Sequence, residues 1–205
     1  MLRIYRIPFS TNVERVALAC GHKGVAVDWI DVPADDRSAV VEVSGQPLVP
    51  VLIEDDGTVL ADSPAILRRL EELHPEPPLW PADPARRSEL DCFVDWFNGV
   101  WKRAPNLIAD ELESANPDRA QIDAWGGELT AALDRFEALL EGRDFLFGHE
   151  LTAADVVAFP FLKYAALPDL ADTDVFHAVL RDWQPLDGKP RLRAWIARVD
   201  ELPRA

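Results

Sequence analysis

Three short stretches of this chain could carry chemistry, and two of them put small hydroxyl or carboxylate side chains where helices are expected to begin. The first is Pro8-Phe9-Ser10-Thr11-Asn12, after which Val13, Val16, Ala17 and Cys20 fall on one helix face. A hydroxyl at such a start sits at the positive end of the helix dipole, among N–H groups with no intrahelical partner. A thiol bound there is held as thiolate, because hydrogen bonds to the charged form lower its pKa, and thiolate is the nucleophilic form. The same residues also serve as plain N-caps and turn formers. The second stretch is Asp62-Ser63-Pro64, a cap residue with proline at a first helical position. A serine there can take a carboxylate through its side chain and backbone N–H together, or can simply cap the helix. Asp62 would repel that carboxylate unless it also held an ammonium group, a conflict that an α-amino-acid end resolves. The third is Val49-Pro50, at the start of an apolar run. A cis bond there would turn the Val49 backbone toward an extended peptide-like ligand, whereas a trans bond would make it an ordinary edge-strand start.

A fourth motif, Leu151-Thr152-Ala153-Ala154-Asp155-Val156, reads as structure. Thr152 and Asp155 have capping-box spacing, and Leu151 with Val156 has that of a hydrophobic staple.

The composition narrows the chemistry. The chain has 205 residues, 36 acidic and 21 basic, for a net charge of −15. The acidity is spread, with net −6 over residues 1–80 and −9 over 81–205. Both parts therefore repel nucleic acid and anionic lipid. A content of 48% hydrophobic residues argues against a disordered chain. Two cysteines, Cys20 and Cys92, exclude a disulfide framework, and four scattered histidines form no metal-binding pattern, so no metal is expected. No apolar run reaches the ~18 residues of a membrane span. The N-terminal residues lack the apolar core of a signal peptide, so a cytoplasmic protein is the expectation.

The elements that position these residues follow from periodicity. Residues 2–7 and 25–32 read as strands on either side of the first helix, and 35–43 as a short irregular helix. Val49–Ile53 and Thr58–Ala61 flank Asp55-Asp56-Gly57 as a hairpin, and Ile66, Leu67, Leu70 and Leu73 mark the next helix. His74–Pro84 holds five prolines in eleven residues, a stiff linker. Beyond it the pattern is helical. One stripe runs through Leu90, Phe93, Val94 and Phe97 toward Val100 and Trp101, a second from Ile122 to Leu140, and a late one through Leu192, Trp195, Ile196 and Val199. The expected fold class is an α/β N-terminal domain over 1–75, a proline-rich linker over 76–84 and an all-α C-terminal domain over 85–205.

In this order and spacing, the four motifs resemble the cytosolic glutathione transferase superfamily over nearly the whole chain. The resemblance implies a thioredoxin-like N-terminal domain that binds glutathione as co-substrate, and a homodimer. Pro8–Val16 is similar to the serine-type phi, theta and zeta classes, which implies Ser10 as the hydroxyl on the glutathione sulfur, with Thr11 beside it. Val49-Pro50 looks like the family's cis-proline at the glutathione backbone, and Asp62-Ser63 like the acidic-serine pair at the γ-glutamyl end. Tyr5 lies too early for the tyrosine-type scheme. No cysteine stands at position 10, which disfavours disulfide reduction. Cys20, on an apolar stripe, reads as core.

The chain departs from the family where Leu48 stands in place of a polar side chain that helps hold the glycyl end. Gln46, two residues away, is the candidate substitute. The second substrate implied is a small hydrophobic electrophile, with Phe9 and Trp101 among its candidate contacts and Phe93 and Phe97 read as bundle core. The resemblance thus implies a detoxification-type thiol transfer. A non-catalytic scaffold of the same fold and a glutathione-dependent isomerase are the alternatives.

Overall fold

The computed structural model describes residues 2–167 and 172–205. The chain forms two compact units: Met1–Pro81 with Leu202–Ala205, and Ala82–Glu201.

The first unit is a four-stranded sheet with helices. Its elements are β1 (Leu2–Arg6), α1 (Thr11–Lys23), β2 (Val27–Asp31), α2 (Ser38–Ser44), β3 (Val51–Ile53), β4 (Val59–Ala61) and α3 (Ser63–Leu73). The strand order is β2-β1-β3-β4. β1 runs parallel to β2, with Leu2 opposite Val27, and antiparallel to β3, with Ile4 opposite Leu52. Alternation along these strands splits the core. Ile4 and Leu52 are fully buried on one face, while Tyr5 packs with Val32, Val40 and Val51 on the other. Tyr5 thus lies inside its strand, among apolar neighbours. This is the thioredoxin-like arrangement that the resemblance implies.

α1 starts where Ser10 caps it and stops at Gly24, which takes the left-handed conformation (φ 64°) that glycine adopts without strain. Its last turn fastens the proline-rich segment. The buried Lys23 ammonium reaches Glu71 Oε2 at 2.6 Å and donates to the carbonyls of His74 and Pro77. The Glu71 carboxylate in turn accepts the N–H groups of Leu79 and Trp80. Every donor on this buried cation has an acceptor, the condition under which a buried charge is tolerated.

The last residues lie against the same unit, which periodicity gave no hint of. The Ala205 N–H donates to Ala17 O at 3.1 Å, Trp29 Nε1 donates to Ala205 O at 3.0 Å, and Arg204 pairs with Glu14 at 3.3 Å. The crossing is so close that a Cβ at Gly21 would overlap the Pro203 carbonyl. Gly21 is therefore a contact residue within α1.

The second unit is helical. It comprises α4 (Pro84–Trp96), a π-helical turn Phe97–Trp101, α5 (Arg103–Leu112), α6 (Arg119–Leu139), α7 (Ala153–Leu162), α8 (Val175–Asp182) and α9 (Pro190–Asp200). α7 is apolar on all sides except Asp155 and is buried at every residue, which makes it the core helix. Asp155 is fully buried, and its carboxylate closes the expected capping box on Thr152. It also accepts from Leu146 N and Trp195 Nε1, both at 2.8 Å, so it ties α7 to α9. Burial pushes the Asp155 carboxyl pKa up, opposed by these same donors. The stripe through Leu90, Phe93, Val94 and Phe97 is buried, but Val100 is 61% exposed. The π-helical turn explains the difference: its wider winding shifts the phase of the stripe by about one residue, so Trp101 turns inward and Val100 outward.

Gly21→Ala is expected to lower stability by roughly 1–3 kcal/mol, since the added methyl must displace main chain at Pro203 rather than a mobile side chain. Urea denaturation checks this, and an unchanged midpoint would show that the tail contact is dispensable.

Candidate functional site

Two helix N-termini of the first unit carry the candidate residues. At the start of α1, Ser10 is half-buried, and its Oγ accepts the Val13 N–H at 3.4 Å. Because the oxygen accepts in this bond, the hydroxyl keeps its own proton to donate. Thr11, the first helical residue, is buried at 5% exposure, so Ser10 is the more accessible of the two hydroxyls. Phe9 precedes them with φ 70° and is 76% exposed.

At the start of α3, Ser63 is buried, and Asp62 before it is exposed, with φ 147° and no capping bond from its side chain. Asp62 therefore takes the N-cap position without capping. Its carboxylate stays directed elsewhere, and Ser63 becomes the first helical residue with Pro64 second. Phe9 and Asp62 are the two non-glycine residues at positive φ among the described residues. Such a conformation costs on the order of 1–3 kcal/mol for a residue with a side chain, and strain of this kind concentrates at functional loops. Both strained residues stand immediately before the candidate hydroxyls.

Arg15 joins the two helix starts. Its side chain is fully buried, and its Nη1 donates to Asn12 Oδ1 at 3.2 Å and to Ser63 Oγ at 3.3 Å. Ser63 Oγ lies 3.4 Å from the same Asn12 oxygen. Burial draws the guanidinium pKa down to about 9, opposed by the charge of Asp62, and the group stays cationic at neutral pH. The sequence did not point to this role. On a helical wheel Arg15 lies across from the Val13, Val16, Ala17 and Cys20 stripe. The amphipathic pattern records the apolar stripe alone, whereas Arg15 is met by Ser63, at the first residue of α3.

The third motif stands before β3. The Val49–Pro50 bond is cis, as the resemblance implied, with Val49 half-buried and Pro50 buried. The loop before it is closed on itself. Gln46 Oε1 accepts from Leu48 N at 2.6 Å, and Gln46 Nε2 donates to Leu48 O at 2.9 Å and to Ser44 Oγ at 3.1 Å. The amide is thereby engaged with its own loop, and Leu48 is left 64% exposed. Arg37 holds the same loop from α2 by donating to Pro47 O at 3.2 Å.

Trp101 belongs to the helical unit. It is buried, stacked on Phe97 with ring centroids 4.5 Å apart, and lines a cleft of about 310 Å³ with Trp96, Val100, Leu129 and Arg135. Phe93 and Phe97 are core, as expected. Among the described residues there is no cluster of three or more metal-ligating side chains, and no helix is long and apolar enough to cross a membrane.

Comparison with known proteins matches both units to family models. Residues 4–78 match "Glutathione S-transferase, N-terminal domain" and residues 119–198 match "Glutathione S-transferase, C-terminal domain". The chain is 30% identical to FtsZ-localized protein A of Caulobacter vibrioides over 175 residues, 78% of this chain and 75% of that protein. It is 27% identical to glutathione S-transferase GstB of Escherichia coli over 202 residues, 95% of this chain and 90% of that protein. A glutathione S-transferase from Rhodospirillum rubrum superposes with a TM-score of 0.77 at 26% identity, covering 99% of this chain and 89% of that one.

The two cysteines differ sharply. Cys20 is fully buried, and burial pushes its thiol up to about 12, only partly opposed by Lys23, whereas Cys92 is exposed. A thiol with so high a pKa is neither a nucleophile nor a redox partner near neutrality. An aromatic disulfide reagent is therefore expected to titrate one thiol per native chain at pH 8 and two after denaturation. A second rapid equivalent in the native protein would contradict the buried placement of Cys20.

Proposed function

Since this chain belongs to the glutathione transferase superfamily, we propose that it binds glutathione as co-substrate and activates its thiol as thiolate for attack on a small hydrophobic electrophile. The observation that carries this reading is the state of Ser10. Its oxygen is occupied by the Val13 N–H, so its proton is available to a sulfur at the positive end of α1. Hydrogen bonding to the charged form lowers the thiol pKa. The remaining assignments follow the matched motifs. Val49, beside the cis Pro50, pairs with the peptide backbone, while Asp62 and Ser63 take the γ-glutamyl ammonium and carboxylate. Phe9, exposed beside Ser10, offers apolar surface to the electrophile, and the cleft at Trp101 offers apolar surface on the helical unit. Gln46 supports its own loop rather than the ligand's glycyl end. A homodimer working in the cytoplasm completes the proposal.

A second reading has specific support. The similarity to a protein named for its localisation with FtsZ, together with the exposed Leu48 where a polar contact is usual, fits a scaffold that keeps the fold without turnover. Isomerisation through a reversible thiolate adduct would use the same residues as transfer.

Conjugation of an activated aryl halide with glutathione tests the enzyme reading. Ser10→Ala is expected to lower turnover about 10- to 100-fold, the worth of one hydrogen bond to a charged group. It should also move the pH at which the rate rises to higher values, because a less stabilised thiolate forms at higher pH. Loss of the N-cap adds a stability cost of about 1 kcal/mol, so the assay is run well below the variant's melting temperature. Unchanged turnover in the variant would remove Ser10 from the role. Glutathione binding with no turnover would favour the scaffold.

A further inference from the structure

α1 carries a single carboxylate, Glu14, and it stands one turn after Ser10: the Glu14 N–H donates to Ser10 O at 3.0 Å. Helical side chains lean toward the N-terminal end of their helix, so Glu14 leans toward the end where the dipole is positive. Left uncompensated, its charge would oppose a second anion held at Ser10. The compensation comes from the far end of the chain. Arg204 Nη2 lies 3.3 Å from Glu14 Oε1, and the two side chains are 24% and 19% exposed, so water screens the pair only in part. Arg204 Nη1 also donates to Leu202 O, which holds the guanidinium in place.

The position of Arg204 is fixed by more than this ion pair. The Ala205 N–H donates to Ala17 O, Trp29 Nε1 donates to Ala205 O, and Pro203 lies against Gly21. Together these contacts set the register of Leu202–Ala205 on α1. Glu14, Ala17 and Gly21 fall on one line along the helix, at i, i+3 and i+7, and Ser10 extends that line by one more turn. The segment thus delivers a cation to the face of α1 that leads to Ser10. The other charged groups around this helix are engaged elsewhere. Arg15 meets Asn12 and Ser63 under the charge of Asp62, and Arg6 at the end of β1 pairs with Asp31 at 2.6 Å. Lys23 holds Glu71 in the last turn of α1, where His22 also stands.

We infer that Arg204 is a positioning residue for the thiolate: by neutralising Glu14 it leaves the positive end of α1 to the bound sulfur, so the segment Leu202–Ala205 sets the pH at which that thiol ionises. The inference rests on the glutathione reading above and adds a residue that acts through Glu14 without touching the ligand.

Thiolate absorbance in the glutathione complex, followed against pH, tests this. Arg204→Gln should move the midpoint of the bound thiol up by about 0.3–1 pH unit, the effect of one unit charge roughly 8 Å away in a largely aqueous medium. Glu14→Gln should move it down, because the cation then stands alone. The double variant should return it close to the wild-type value, and Arg204→Lys should keep it there. A merely structural role for the segment predicts instead that the double variant titrates like Arg204→Gln. Glu14→Gln leaves the main-chain bonds of Ala205 in place, so the test holds even where Arg204→Gln loosens the segment. An unshifted midpoint in either single variant, or a double variant that keeps the Arg204→Gln shift, overturns the inference. The proposed function still stands in that case if the wild-type midpoint lies below that of free glutathione. A wild-type bound thiol that titrates like the free one overturns both.

Discussion

A guanidinium removed from water requires acceptors around it, and the first unit supplies them to Arg15 from two helix starts at once. Asn12 comes from α1 and Ser63 from α3, and Asp62 provides the opposing charge. The arrangement constrains both loops. Ser63, which meets Arg15, is the first residue of α3 and directly follows the positive φ of Asp62. Ser10 caps the same helix that carries Arg15, so the hydroxyl assigned to the thiol and the group that meets the hydroxyl assigned to the carboxylate belong to one element. A net charge of −15 would oppose any anionic ligand at long range, but charges beyond about 10 Å are largely screened at moderate salt. A buried cation and two helix dipoles act inside that distance.

Strain and satisfaction are divided accordingly. The second unit resolves its fully buried carboxylate completely, with Asp155 taking donors from Thr152, Leu146 and Trp195. The Lys23–Glu71 group in the first unit is equally well satisfied. Non-glycine positive φ, by contrast, is confined among the described residues to Phe9 and Asp62. Scaffold regions are relaxed and site loops are strained, the distribution expected where geometry serves binding more than stability.

Much of this was legible in the sequence, because the strongest signals were local. The hydroxyls at positions 10 and 63, the capping box at Thr152–Asp155 and the alternating strands depend on neighbours within a few residues. Two features depended on distant contacts and a third on a local change of helix winding, and so were hidden. Arg15 owes its place between the two helix starts to Ser63, which lies far from it in the chain. Gly21 owes its role to the Pro203 carbonyl packed against it from the far end of the chain. Val100 reads as core until the π-helical turn shifts the register. Gln46 was a candidate ligand contact on proximity alone, and its amide proves to close the Ser44–Leu48 loop.

The central claim is that the first unit holds a bound thiol as thiolate at Ser10. The most direct measurement is the ultraviolet absorbance of the thiolate in the glutathione complex as a function of pH. A free thiol titrates near pH ~8.5. The account predicts that bound glutathione titrates at least about one unit lower in the wild-type protein, and returns toward the free value in Ser10→Ala. A bound thiol that titrates like the free one, with or without Ser10, would contradict it.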